Sequence, residues 1–235
     1  MAEARVADQY AHHYHLIVSI LKGVVLYAAA TSILAIYAAD TATSVKTVAT
    51  LYWVAGLVSM IANYDGIMVG SLVITRPPNI TDVVMPFLLG VAEYSHFAIL
   101  MPVAGPEATS AQLAHLAWWP LLMATFTFIA CIEITATKRA TLESSRMAPE
   151  MAELHGWYRD SLTGGQRFTA LSSFVLFLAF VALRTGLPGD LVALDTLRRW
   201  QGVLAVLVAM GSVAGLLATE QVRRRIDAGL GVTPP

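Results

Sequence analysis

The chain reads as an all-α integral membrane protein with six transmembrane helices. Hydrophobic residues make up 57% of its 235 positions and charged ones 13%, where soluble domains carry about 25%. Mean hydropathy is +0.64. The charges gather between long apolar runs, whereas a soluble protein would spread them over every helix. The expected partner is therefore the lipid bilayer. Without a basic stripe interleaved with aromatics, no nucleic-acid partner is expected.

A span needs about 20 mainly apolar residues. Six stretches qualify within a single transmembrane domain, 1–235: roughly 16–38, 48–75, 83–104, 113–137, 168–187 and 200–219. The first follows a polar, mixed-charge lead. Its apolar run is too long for a removable signal core, so a retained span is expected. The spacer 39–47 suggests a tight hairpin. The second stretch would be about 42 Å long as one helix, against a hydrocarbon layer of about 30 Å. Near its centre stands Asn63-Tyr64-Asp65-Gly66, a turn sequence in soluble proteins. Either the helix tilts and overhangs, or it breaks into two half-helices facing a site. Arg76-Pro77-Pro78-Asn79 then stops it, because proline disfavours helix at the residue before it.

The third span carries Glu93-Tyr94-Ser95-His96. Trp118-Trp119 of the fourth span and Trp200 of the last fall at outer ends, where amphipathic rings sit at the interface. Between the fourth and fifth spans, Met147, Met151, Leu154, Trp157 and Tyr158 recur at helical spacing among charged residues. An amphipathic cytoplasmic helix within 138–167 follows, with Gly164-Gly165 as a hinge. In the last span, Gly211 and Gly215 with Ser212 form a small-residue face for close helix packing, within the chain or between subunits.

Lys and Arg counts set orientation. With the N-terminus cytoplasmic, only Lys46, Arg184, Arg198 and Arg199 of the 15 basic residues lie outside, leaving 11 within. Both termini are expected in the cytoplasm. The compact loops suggest a bacterial inner membrane.

Ionisable groups within spans cost roughly 2.5–3.5 kcal/mol each on insertion scales, so they turn inward and pair or line a pathway. Glu93 and His96 share a helix face, and Asp65 falls at comparable depth in the antiparallel neighbour. One cluster of Asp65, Glu93 and His96 is expected, lined by Asn63, Tyr64 and Ser95. Two close carboxylates would share a proton or a cation. The leading expectation is thus a small ion channel or proton- or cation-linked transporter. A homo-oligomer is expected, since six spans enclose little water on their own. The other class is a non-transporting anchor or scaffold subunit of a larger membrane complex, in which the acids only fix helix register. Glu133 is placed near the cytoplasmic boundary, either on the ion pathway or in a structural pair with Lys22.

Other chemistry finds little footing. Cys131 is the only cysteine and lies in an apolar run, as a packed small hydrophobe. His12, His13 and His15 are weak metal candidates with no accompanying ligand set. One Glu-x-x-His is half of a di-iron site. Neither His96 nor His115 has a partner at its own depth for haem ligation. No HExxH, GxSxG or phosphate-loop pattern occurs. No enzyme activity and no cofactor are expected.

Overall fold

The computed structural model describes residues 2–73, 80–101, 109–143, 152–185 and 194–229; side chains are described over most of these, but not before Tyr14. The described residues form α1 (Ala2–Ala38), α2 (Thr43–Val73), α3 (Ile80–Ala98), α4 (Thr109–Leu116), α5 (Trp119–Glu143), α6 (Ala152–Thr185) and α7 (Leu194–Gly229), with no strand among them. Five stretches are long and apolar enough to cross a membrane: Tyr14–Ala38, Thr43–Val69, Gln112–Ala136, Arg159–Ala182 and Arg198–Arg225. They overlap five of the six expected spans. The remaining one corresponds to α3, whose 19 residues make about 28 Å of helix at about 1.5 Å per residue.

Side-chain contacts give the helix directions. Trp53 Nε1 donates to the Ala29 carbonyl (2.8 Å) and Lys46 Nζ to that of Tyr37 (3.2 Å), so α1 and α2 are antiparallel. Gly56 faces Phe97 while Asn63 meets Glu93, so α3 reverses again. Ser173 Oγ bonds Thr127 (2.6 Å) and Gln166 bonds Thr135 (2.6 Å), setting α5 against α6. Leu51 lies beside Gly202, Ser59 bonds Ser212 (2.7 Å) and Asp65 pairs with Arg223, so α7 runs parallel to α2. The bundle therefore has an α4 end and a terminal end. Helix α2 is its hub, packing on α1, α3, α4, α5 and α7.

The apolar core concentrates around α2, with Tyr52, Ala55, Leu89, Phe97, Leu113 and Trp119 fully buried. By contrast, α6 and α7 turn Phe168, Leu171, Phe174, Leu207, Met210 and Leu217 outward. Outward apolar side chains are what a bilayer solvates.

Four local outcomes differ from the sequence expectations or decide between them. Helix α2 is continuous through Asn63–Gly66, so the length is carried as one long helix without a break. Asn and Gly cost well under about 1 kcal/mol each in a helix interior, which packing overrides. The fourth stretch steps between α4 and α5, because Pro120 has no N–H to continue the ladder; Trp118 N–H bonds His115 O (3.1 Å) across the step. The 138–167 spacer is not a separate helix: its beginning belongs to α5, its end to α6, and 144–151 lies outside the described residues. Gly164-Gly165 lies inside the continuous α6, next to Gln166, which bonds Thr135 of α5, and does not separate two helices.

Because a Cβ at Gly164 or Gly165 would meet nothing within 4 Å, Gly164→Ala and Gly165→Ala should each stabilise the protein by up to about 1 kcal/mol through helix propensity. Equilibrium unfolding in detergent reads this; a loss of stability would mean that the helix must bend there.

Candidate functional site

Glu93, 1% exposed on α3, is a deeply buried acid. The ammonium of Lys22 from α1 donates to both its carboxylate oxygens. Asn63 of α2 adds a third hydrogen bond, Nδ2 to Oε1, at 3.0 Å. One carboxylate thus ties three helices. One turn earlier on α3, Leu21 of α1 stands over Gly90, where a Cβ would come within 3.7 Å of it. Lys22 was expected beside Glu133, from depth alone. The structure gives it to Glu93 because α1 packs on α3 and α2. Glu133 is half-buried on α5.

Asp65 is two residues beyond Asn63, about 200° further round the helix, and faces α7. It pairs there with Arg223. Arg223 also reaches Glu220 (3.1 Å), which holds Arg224 at 2.9 Å. Arg225 stacks 4.6 Å over the Trp157 ring of α6. Val69, Trp157, Leu162 and Val222 pack beneath this belt. The terminal ends of α2, α6 and α7 are fastened together by charge and apolar contact at once.

His96 shares a face with Glu93 but points into aromatics. Its ring lies 5.7 Å from Trp119 and 5.4 Å from Phe126, edge-on to the latter, and hydrogen-bonds the Leu122 backbone. The expected joint cluster therefore resolves into three surroundings: Glu93 with Lys22 and Asn63, Asp65 with Arg223, and His96 among rings. Tyr64 is half-buried against the core. Ser95 bonds its own Val91 carbonyl at 2.8 Å. Cavities are formed by described residues in more than one part of the bundle. One, of about 20 Å³, lies at the α4 end, and one of about 450 Å³ is an apolar groove between α2 and α7. None of Asp65, Glu93 and His96 lines either.

The remaining candidates are placed as follows. Gly211 packs on Phe168 of α6, and Ser212 bonds Ser59 of α2, so this face serves packing within the chain; nothing lies within 4 Å of a Cβ at Gly215. His12 and His13 fall outside the described side chains, and His15 sits beside the Tyr14 ring (6.2 Å). No group of three or more His, Cys, Asp or Glu is placed to hold a metal among the described residues. Trp118 is exposed and Trp119 is fully buried, stacked on Tyr52 at 4.3 Å. Sequence reading had put both tryptophans at the interface. Gln201, at the start of the last apolar run, is also fully buried, and its amide Nε2 donates to Leu113 O at 2.8 Å; sequence reasoning missed it, although an amide in such a run needs a partner.

No known family model, curated protein or solved structure matches the chain.

Breaking a buried pair from one side strands a charge and costs about 3–5 kcal/mol, whereas replacing both partners is often near neutral. Glu93→Gln and Lys22→Met should each lose stability on that scale, and the double variant should recover most of it, measured by unfolding in detergent micelles. Additive losses would show that the two groups do not depend on each other. The Asp65–Arg223 pair is 21% and 39% exposed, so Asp65→Asn should cost only about 1 kcal/mol or less.

Proposed function

We propose that this chain is a non-transporting membrane subunit that anchors or scaffolds a larger membrane assembly, and that its intramembrane acids hold helices in register. One observation carries this reading: Glu93 and Asp65 are each matched to a base from a different helix, Lys22 of α1 and Arg223 of α7. Acids so neutralised act as clamps between helices. A permeation site would instead gather them around water.

The same reading sets α3 in the bilayer as the sixth span, puts both termini in the cytoplasm, and places the protein in a bacterial inner membrane. The strongly basic terminal end, with Arg223, Arg224 and Arg225, favours that orientation. The outward apolar faces of α6 and α7 are available to lipid, to other membrane subunits or to a second copy.

A second reading, a small ion channel or proton- or cation-linked transporter, is supported by the place of the Lys22–Glu93–Asn63 group. It sits where three helices meet, and a proton on Glu93 would release Lys22. The two readings separate in proteoliposomes. The scaffold reading expects no proton, sodium or potassium flux above that of empty vesicles. Flux that Glu93→Gln abolishes in a still-folded protein would establish transport in its place.

Topology is tested on a Cys131→Ser background. Thr41→Cys, in the connection between α1 and α2, should react with a membrane-impermeant maleimide in intact cells. Labelling only after lysis would reverse the orientation.

A further inference from the structure

Four buried side-chain atoms have no hydrogen-bond partner among the described residues: Tyr52 Oη, His96 Nε2, Trp119 Nε1 and Gln201 Oε1. They come from α2, α3, α5 and α7, yet they occupy one level near the α4 end. Tyr52 and Trp119 stack with ring centroids 4.3 Å apart, and His96 lies 5.7 Å from Trp119. Gln201 stands at the level of Tyr52, since Leu51 lies beside Gly202, and its Nε2 donates to the Leu113 carbonyl. All four residues are at most 1% exposed. An unpaired buried polar atom is costly, and four at one level of the bundle call for a ligand that can satisfy them.

The chemistry of the set names the ligand. Trp119 and Tyr52 supply an N–H and an O–H. Gln201 supplies a carbonyl acceptor. The His96 ring bonds the Leu122 backbone carbonyl, so in the neutral ring Nε2 is the second acceptor. Two donors and two acceptors, none formally charged, match water, which itself donates two hydrogen bonds and accepts two. They match neither a metal ion nor an anion.

A cavity at the same end has walls near the set, although none of the four residues lines it. The cavity of about 20 Å³ at the α4 end is lined by Ala49, Leu100 and Leu116, with Thr41, Lys46 and His115 among its polar walls. Ala49 stands about one helical turn of 5.4 Å from Tyr52 on the same face of α2, while Leu100 follows the end of α3 four residues after His96 and Leu116 ends α4 three residues before Trp119. A cavity needs about 10–15 Å³ of such volume to hold one water, so this one has the room.

We propose that Tyr52, His96, Trp119 and Gln201 form a buried hydration site in the α4-end half of the bundle, supplied through this cavity. The site is independent of either functional reading, because Glu93 and Lys22 take no part in it.

Two measurements on the full-length protein in lipid nanodiscs test it. In ¹⁵N-tryptophan-labelled protein, the Trp119 indole N–H should show a cross-peak from water. Tyr52→Phe keeps the ring and removes only the hydroxyl. It should lower the unfolding midpoint by roughly 2–4 °C, and the loss should be less than additive with Gln201→Leu. A dry site gives the opposite signs: no water cross-peak at Trp119, and a midpoint that rises on Tyr52→Phe because an unpaired hydroxyl has been removed. Either result overturns the proposal.

Discussion

A charge within hydrocarbon must be met by an opposite charge, and in this protein that demand is met by contacts between helices far apart in sequence. Lys22 and Glu93 are separated by 71 residues. Neither is tolerable in the interior alone, so each makes the other's helix a necessary neighbour. Asn63 adds α2 to the same junction. The remaining helices assemble around that three-way contact, with α2 at the centre.

The two ends of the bundle are held by different physics. At the terminal end, Asp65, Glu220, Arg223 and Arg224 form a charged belt over a small apolar cluster. It is partly exposed, where ion pairs contribute little individually and work as a network. At the α4 end, aromatic packing dominates: Tyr52 on Trp119, His96 between Trp119 and Phe126. Hydroxyl pairs such as Ser59–Ser212 and Thr127–Ser173 stitch the helices at intermediate depth. Such contacts contribute modestly, about 0.6 kcal/mol on average in membrane bundles, but they fix register. Acids in fixed pairs and rings in a tight stack suit a body that holds its shape more than one that opens a pathway.

Much of the fold was legible because span length and apolarity are local properties. The five stretches long enough to cross a bilayer overlap segments picked out by hydropathy alone. The candidate residues were legible only as individuals. Asp65, Glu93 and His96 stood out as polar groups in apolar runs, but depth along a helix says nothing about azimuth. Asn63 and Asp65 differ by two positions and therefore face different neighbours, α3 and α7. Gly164-Gly165 was misleading for the opposite reason. Its intrinsic preference is for a break, yet α5 packs alongside and Gln166 bonds across, and those contacts outweigh propensity. Trp119 looked like an interface anchor, but Pro120 opens a new helix there and the ring enters the core.

The sequence by itself determined the solvent of this protein, because transfer of apolar and charged groups between water and lipid depends on composition along the chain. It also determined that its few intramembrane charges would need partners. Which partners they take was decided by tertiary structure alone. Pairing depends on which helix lies against which, and on the 100° rotation per residue that turns each side chain toward one neighbour and away from the rest. The same packing brought Tyr52, His96, Trp119 and Gln201 from four helices to one level, a meeting that no spacing in the chain encodes.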